Sequence, residues 1–143
     1  KDIDYGYAGD VKKVDGEALA GLIRKNVIPV MAPLTHDGKG QILNTNADTI
    51  AGETAKALAG FFDVTLVYCF EKRGVLSDES DDNSVIPVLT PDLFRQYVKE
   101  GIIKEGMIPK LENAFEAINA GVTEVIITSA KAIGQNGGTT VKK

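Results

Sequence analysis

An α/β fold with a mainly parallel sheet is what this sequence predicts, on three observations. Apolar runs rich in β-branched residues alternate along the chain with stretches of helical character. The helical stretches carry apolar residues at helical spacing, with capping residues at their starts and glycines past their ends. The longer apolar runs lack the strict alternation of a half-wet sheet, as strands buried in parallel sheets do.

The elements follow in order. Asp15 caps a helix over 16–25 that sets Leu19, Leu22 and Ile23 on one face. A buried strand is expected at 27–34. Thr35-His36-Asp37-Gly38-Lys39-Gly40 has turn chemistry throughout, and 41–44 resumes an extended path beyond it, as a hairpin would. A second helix begins near Asn46, with an Ala-rich body over 47–58 and Gly60 as its stop. Residues 63–70 read as a strand buried on both faces, with Cys69 packed and inert inside it. The acidic stretch 77–84 is a solvated loop. Thr90-Pro91 is a cap with a proline at the first helical position, opening a helix through Lys99 that Gly101 ends. Another helix runs from about Met107 to Ala120, where Met107, Leu111, Phe115 and Ile118 keep helical spacing ahead of Gly121. Residues 122–128 form the last strand before a Gly-rich, basic tail.

Bulk composition narrows the function classes. With 143 residues, 43% of them hydrophobic, the chain has enough apolar material for one sizeable core, so one compact domain is expected. The 16 Lys and Arg are interspersed with 20 Asp and Glu, leaving no basic stripe to follow a phosphate backbone, and nucleic acid is excluded as a partner. No apolar run approaches the roughly 18 residues of a membrane span, so a soluble protein is expected, with no membrane partner. The amino terminus reads Lys1-Asp2-Ile3-Asp4, without the apolar core of a secretory signal. Cys69 is the only cysteine and suits a reducing, cytoplasmic compartment. Because residue 1 is Lys rather than Met, a piece processed or excised from something longer is expected.

Two clusters carry candidate chemistry. In Asn44-Thr45-Asn46-Ala47-Asp48, two amides and a carboxylate stand where an extended segment meets a helix start. Unpaired backbone N–H groups and the helix dipole make such junctions ligand sites, while Asn46 as a cap with Asp48 in the first turn is the purely stabilising reading. In the second cluster, Gly101 to Lys110, two glycines precede a helix whose first turn carries Lys110. A cation there opposes the helix dipole, so Lys110 is better placed to grip phosphate than to stabilise the helix. Neither a Walker-type loop nor a Gly-x-Gly-x-x-Gly run is present. His36, the only histidine, is expected as an exposed turn residue. Asp78, Glu79, Asp81 and Asp82 lack the ligand spacing of a calcium loop, and no metal ligand is assigned.

The clusters, their order and the strand between them resemble the acylglutamate kinase branch of the amino acid kinase family. The resemblance begins at Tyr7-Ala8-Gly9-Asp10-Val11 and takes in 27–33, Leu43-Asn44-Thr45-Asn46-Ala47-Asp48, Arg73-Gly74-Val75-Leu76 and Gly106-Met107-Ile108-Pro109-Lys110. The Asn-x-Asn-Ala-Asp and Gly-Met-x-x-Lys pair is its most specific part. It implies a three-layer α/β/α sandwich, the amino acid kinase fold in part, with residues 1–143 as its carboxyl-terminal, nucleotide-binding half. It further implies ATP-dependent phosphorylation of the side-chain carboxylate of an N-acyl-L-glutamate, acetyl or succinyl, in arginine biosynthesis. ATP and Mg²⁺ are the cofactors, and the full-length enzyme would be a homo-oligomer.

The residue roles come from the same resemblance. Asp48 and Lys110 would be catalytic, with Asn44 and Asn46 binding substrate. The nucleotide would lie along Glu71, Lys72, Arg73, Gly74, Val75 and Leu76, and against Ile102, Ile103, Lys104, Gly106 and Met107. Two departures stand out. Relatives carry Ser or Thr, then Asp and Val, ahead of the glycine, where this chain has Phe70-Glu71-Lys72-Arg73-Gly74. The family's amino-terminal half, with its glycine-rich phosphate loops and a second catalytic lysine, is not among these residues, so they are not expected to turn over alone. The rival readings are another amino acid kinase, acting on carbamate, aspartate or glutamate, and a non-catalytic nucleotide- or effector-binding module.

Overall fold

Asp15 starts the first helix, α1 (Gly16–Arg24), by accepting a hydrogen bond from the Ala18 N–H at 3.0 Å. The computed structural model describes residues 5–104, 106–135 and 137–143. Two compact units, Lys1–Phe62 and Asp63–Lys143, replace the single one that the length suggested. The division follows from strand pairing, because every strand of the larger sheet lies after residue 63 and the hairpin before it pairs within its own unit.

In the first unit, α1 packs against α2 (Ala47–Leu58), and the Arg24 guanidinium sits over the rings of Phe61 and Phe62 at 5.8 and 5.6 Å. The expected hairpin joins β1 (Leu34–His36) to β2 (Ile42–Asn44), antiparallel, with His36 opposite Ile42. Its turn closes because the Asp37 carboxylate accepts the Lys39 and Gln41 N–H groups at 2.7 and 3.1 Å, while Gly38 and Gly40 take φ of 77° and 102°. His36 is exposed, as the sequence implied, and its Nδ1 accepts the Gly38 N–H at 3.0 Å.

The buried strand expected at 27–34 does not form, and β1 begins only at Leu34. Ile28 and Val30 are 85% and 92% exposed. Pro29 and Pro33 have no N–H to give to a ladder, and no strand among the described residues pairs with 27–33.

The second unit holds a four-stranded sheet in the order β3-β5-β6-β4, built from β3 (Thr65–Phe70), β4 (Val88–Leu89), β5 (Glu124–Ser129) and β6 (Thr139–Val141). β3 runs parallel to β5 and β4 to β6, and only β5 and β6 are antiparallel, so the mainly parallel sheet is realised. Register places half-buried Leu66 and buried Tyr68 beside Val125 and Ile127, and these in turn beside Val141 and Thr139, on one face. Two helices precede β5. α3 (Pro91–Lys99) starts at the predicted Thr90 cap, and α4 (Ile108–Asn119) packs against β5 and buries Leu111, Ala114, Ala117 and Ile118.

Two strand expectations are corrected here. β3 is buried on one face only: Val67 is 41% exposed, and Cys69 is exposed where packing was expected. Side chains alternate along a strand, so Thr65, Val67 and Cys69 share one face of β3, and all three are exposed. The Gly-rich, basic tail, expected to hold no further strand, carries β6, which sits between β5 and β4 with Thr139 and Val141 fully buried. Local pattern did not reveal a three-residue strand whose hydrogen bonds all go to distant partners.

Thr139 ties this sheet to the segment after β3. Its hydroxyl accepts the Val75 N–H at 2.8 Å and donates to the Ile86 carbonyl at 2.7 Å. Gly74 is required alongside, since a Cβ there would stand 2.8 Å from the same hydroxyl oxygen. Thr139→Val keeps the shape and strands two buried backbone groups, so it should cost on the order of 2–3 kcal/mol. Urea unfolding checks this, as a lower midpoint at unchanged slope.

Candidate functional site

The first unit collects Asn44, Asn46 and Asp48 at one strand-to-helix junction. Asn44 ends β2, its backbone fixed by a hydrogen bond from its N–H to the Tyr7 carbonyl at 2.8 Å and one accepted from the Gly9 N–H at 2.7 Å. That leaves the Asn44 side chain exposed on a held backbone. Asn46 caps α2, its Oδ1 accepting the Thr49 N–H at 3.0 Å, so the stabilising role read from the sequence is present. Asp48 lies in the first turn, half-buried, where the helix dipole favours a carboxylate. Between the two asparagines Thr45 is buried, its hydroxyl 2.8 Å from that of Thr35.

The second unit supplies a cleft. β3 and β5 end together, Phe70 opposite Ser129, and ligands of open α/β sheets bind beyond such carboxyl ends. A hollow of about 500 Å³ opens there, walled by Phe70, Glu71, Arg73, Ser129, Lys131 and Gln135, a size that suits a small molecule. Lys110 reaches this edge from the first turn of α4, with Nζ 4.0 Å from the centre of the Phe70 ring. The helix amino terminus repels the ammonium, and no carboxylate pairs with it among the described residues, so the electron-rich ring face is its partner. Phe70 is itself stacked on buried Tyr68, with ring centres 5.9 Å apart.

A second hollow of about 520 Å³ is lined by Val98, Gly101, Ile103, Lys104, Gly106 and Ile108. Ile103 is buried and serves as its apolar floor, while Ile102 and Met107 are half-buried and Glu105 lies outside the described residues. Lys104 pairs with Glu79 of the acidic loop, and Lys72 pairs with Asp82 of that loop at 2.7 Å. The loop is exposed, as predicted, but internally braced: Ser80 donates both its N–H and its hydroxyl to Asp78. Gly74, Val75 and Leu76 are buried, so within that segment Glu71, Lys72 and Arg73 are the exposed residues.

Sequence reasoning missed Ser129, Lys131 and Gln135 as cleft walls, and Phe70 as the platform for Lys110. Lys131 was detectable as a cation just past a strand end. The Phe70 contact spans 40 positions and had no local signature.

The likeness to known proteins is extensive. The amino acid kinase family model matches residues 1–129. An acetylglutamate kinase of Bacteroides thetaiotaomicron is 71% identical over all 143 residues, which make up 56% of that protein. One from Phocaeicola vulgatus is 68% identical, also over the whole chain and 56% of its own length. This chain therefore spans about half the length of the curated relatives it matches. A crystal structure of an N-acetylglutamate synthase from Neisseria gonorrhoeae superposes with a TM-score of 0.82 at 24% identity, covering 99% of this chain and 34% of that one, a likeness of fold.

The acidic loop should respond to pH at both extremes. The Ser80 hydroxyl first, then the Ser80 N–H, holds the Asp78 carboxyl below the usual aspartate range, with Lys104 adding to it. That brace is complete above the ordinary aspartate pKa and is lost as pH falls through the depressed one. Asp82, by hydrogen bond and then by charge, raises the Lys72 ammonium, so its brace is complete below the ordinary lysine pKa and fades as pH rises through the raised one. Ser80→Ala should move the Asp78 carboxyl midpoint upward, and a ¹³C NMR titration reads it directly; an unmoved midpoint would refute the assignment.

Proposed function

Because this chain belongs to the amino acid kinase family, we propose that it is the carboxyl-terminal, nucleotide-binding half of an acylglutamate kinase. The reaction is transfer of the terminal phosphoryl group of ATP to the side-chain carboxylate of an N-acyl-L-glutamate, acetyl or succinyl, in the cytoplasmic synthesis of arginine. The observation that carries the reading is Lys110, an ammonium with no carboxylate partner among the described residues, held over Phe70, the ring that ends a parallel strand and walls a ligand-sized cleft. Acetylglutamate kinases at 68% and 71% identity across the chain support it.

The chemistry explains why a lysine matters most. A glutamate side chain has a pKa of about 4.3, so the acceptor is ionised at neutral pH and needs no general base. The obstacle is the approach of one anion to another, which fixed cations relieve. Lys110 stabilises the charge on the phosphoryl group in flight, Asp48 anchors and orders lysines, and Asn44 holds the acyl acceptor, with Asn46 close by as the cap. The nucleotide lies along 71–76 and against 102–104, 106 and 107, where Arg73 and Lys104 are the cations nearest the two hollows. Mg²⁺ keeps several waters and is bound largely through substrate phosphates, so it would enter with the nucleotide. Among the described residues no helix is long and apolar enough to cross a membrane.

Residues 1–143 turn over only as part of the longer enzyme, which assembles as a homo-oligomer. A second reading, a nucleotide- or effector-binding module without catalysis, is favoured by one observation: Lys72 and Lys104 are already neutralised by Asp82 and Glu79.

Acceptor assays on the intact protein separate the readings. N-acetyl- or N-succinyl-L-glutamate should be phosphorylated while carbamate, aspartate and free glutamate are not. Lys110→Ala should lower kcat by about 10²–10³-fold with little change in fold. Unchanged turnover in that variant would remove the kinase role from Lys110, and nucleotide binding with no turnover on any acceptor would leave the binding module.

A further inference from the structure

We propose that Phe70 is a positioning residue for Lys110, its ring fixing the ammonium at the edge of the cleft; this rests on the catalytic role given to Lys110 above. Three observations meet at this ring. Lys110 Nζ lies 4.0 Å from its centre, well inside the range of a cation–π contact. The ring closes the carboxyl end of β3 and also walls the 500 Å³ hollow, so the same side chain touches both the ammonium and the hollow. Its own orientation is set from below by buried Tyr68, stacked at 5.9 Å and 16° between ring planes.

A four-carbon lysine stem has many rotamers, and ordering it on demand would slow the step it serves. A ring face orders the ammonium without neutralising it, which a carboxylate would do. The full positive charge therefore stays available to a phosphoryl group. Among the described residues the Phe70 ring is the partner recorded for the Lys110 ammonium.

Phe70→Leu and Phe70→Tyr in the intact protein test the idea beside Lys110→Ala. Leucine fills similar space without a ring, and tyrosine restores the ring. Phe70→Leu should lower kcat by about five- to tenfold with KM for ATP within about twofold, and Phe70→Tyr should recover most of that loss. An unchanged kcat in Phe70→Leu, or a rise confined to KM for ATP, overturns the proposal, because the ring would then be filler or a ligand contact.

Proton NMR gives an activity-independent readout. The Lys110 ε-methylene should be shifted upfield by the ring current in the native protein and in Phe70→Tyr, and should return to the ordinary lysine position in Phe70→Leu. Absence of that shift in the native protein refutes the contact, even if Phe70→Leu fails to fold. If the shift is present and Lys110→Ala retains full turnover, the catalytic role of Lys110 falls while the contact with Phe70 stands.

Discussion

The parallel pairing of β3 with β5 is the constraint on which the cleft of the second unit depends. Its register is continuous from Thr65 against Glu124 to Phe70 against Ser129, so both strands finish at the same level. A slip of one residue would turn Tyr68 outward and bring Cys69 into the core, since side chains alternate along a strand. Phe70 would turn with them and lose both its stack on Tyr68 and its hold on Lys110. The burial of an ordinary apolar face thus fixes where a charged group stands at the rim.

A second layer of constraint sits just beyond the strand ends. The turn after β3 is held to the sheet by the Thr139 hydroxyl, and Gly74 makes room for that contact. The three residues before the glycine, Glu71, Lys72 and Arg73, keep their side chains outside. The acidic loop then reaches back to two separate segments, through Asp82 to Lys72 and through Glu79 to Lys104. These pairs are exposed and weak singly. Anionic ligands of greater charge density than a carboxylate would compete with them, so the loop need not be rigid to matter.

The sequence made local structure legible wherever one side chain decided it. Asp15, Asn46 and Thr90 each capped the helix they announced, and Asp37 closed the hairpin turn. What it hid was set by distant partners. β6 is three residues long and exists only because β5 and β4 flank it, and the cleft walls at Ser129, Lys131 and Gln135 follow from that placement. Cys69 was misread because strand composition does not tell a strand covered on both faces from one covered on a single face. The two clusters of candidate residues were legible as helix starts, whereas the contact that orders Lys110 depended on a ring far away in the chain.

The uncovered stretch at 27–33 has a consequence for handling this polypeptide. Ile28, Val30 and Met31 face solvent from a segment outside any helix or strand, and exposed apolar residues of high strand propensity recruit a neighbouring chain into cross-strand stacking. Pro29 and Pro33 interrupt the row of amide hydrogens that such stacking needs, and so act as gatekeepers within an otherwise sticky ribbon. The same two prolines that denied this segment a strand also keep it from seeding aggregates.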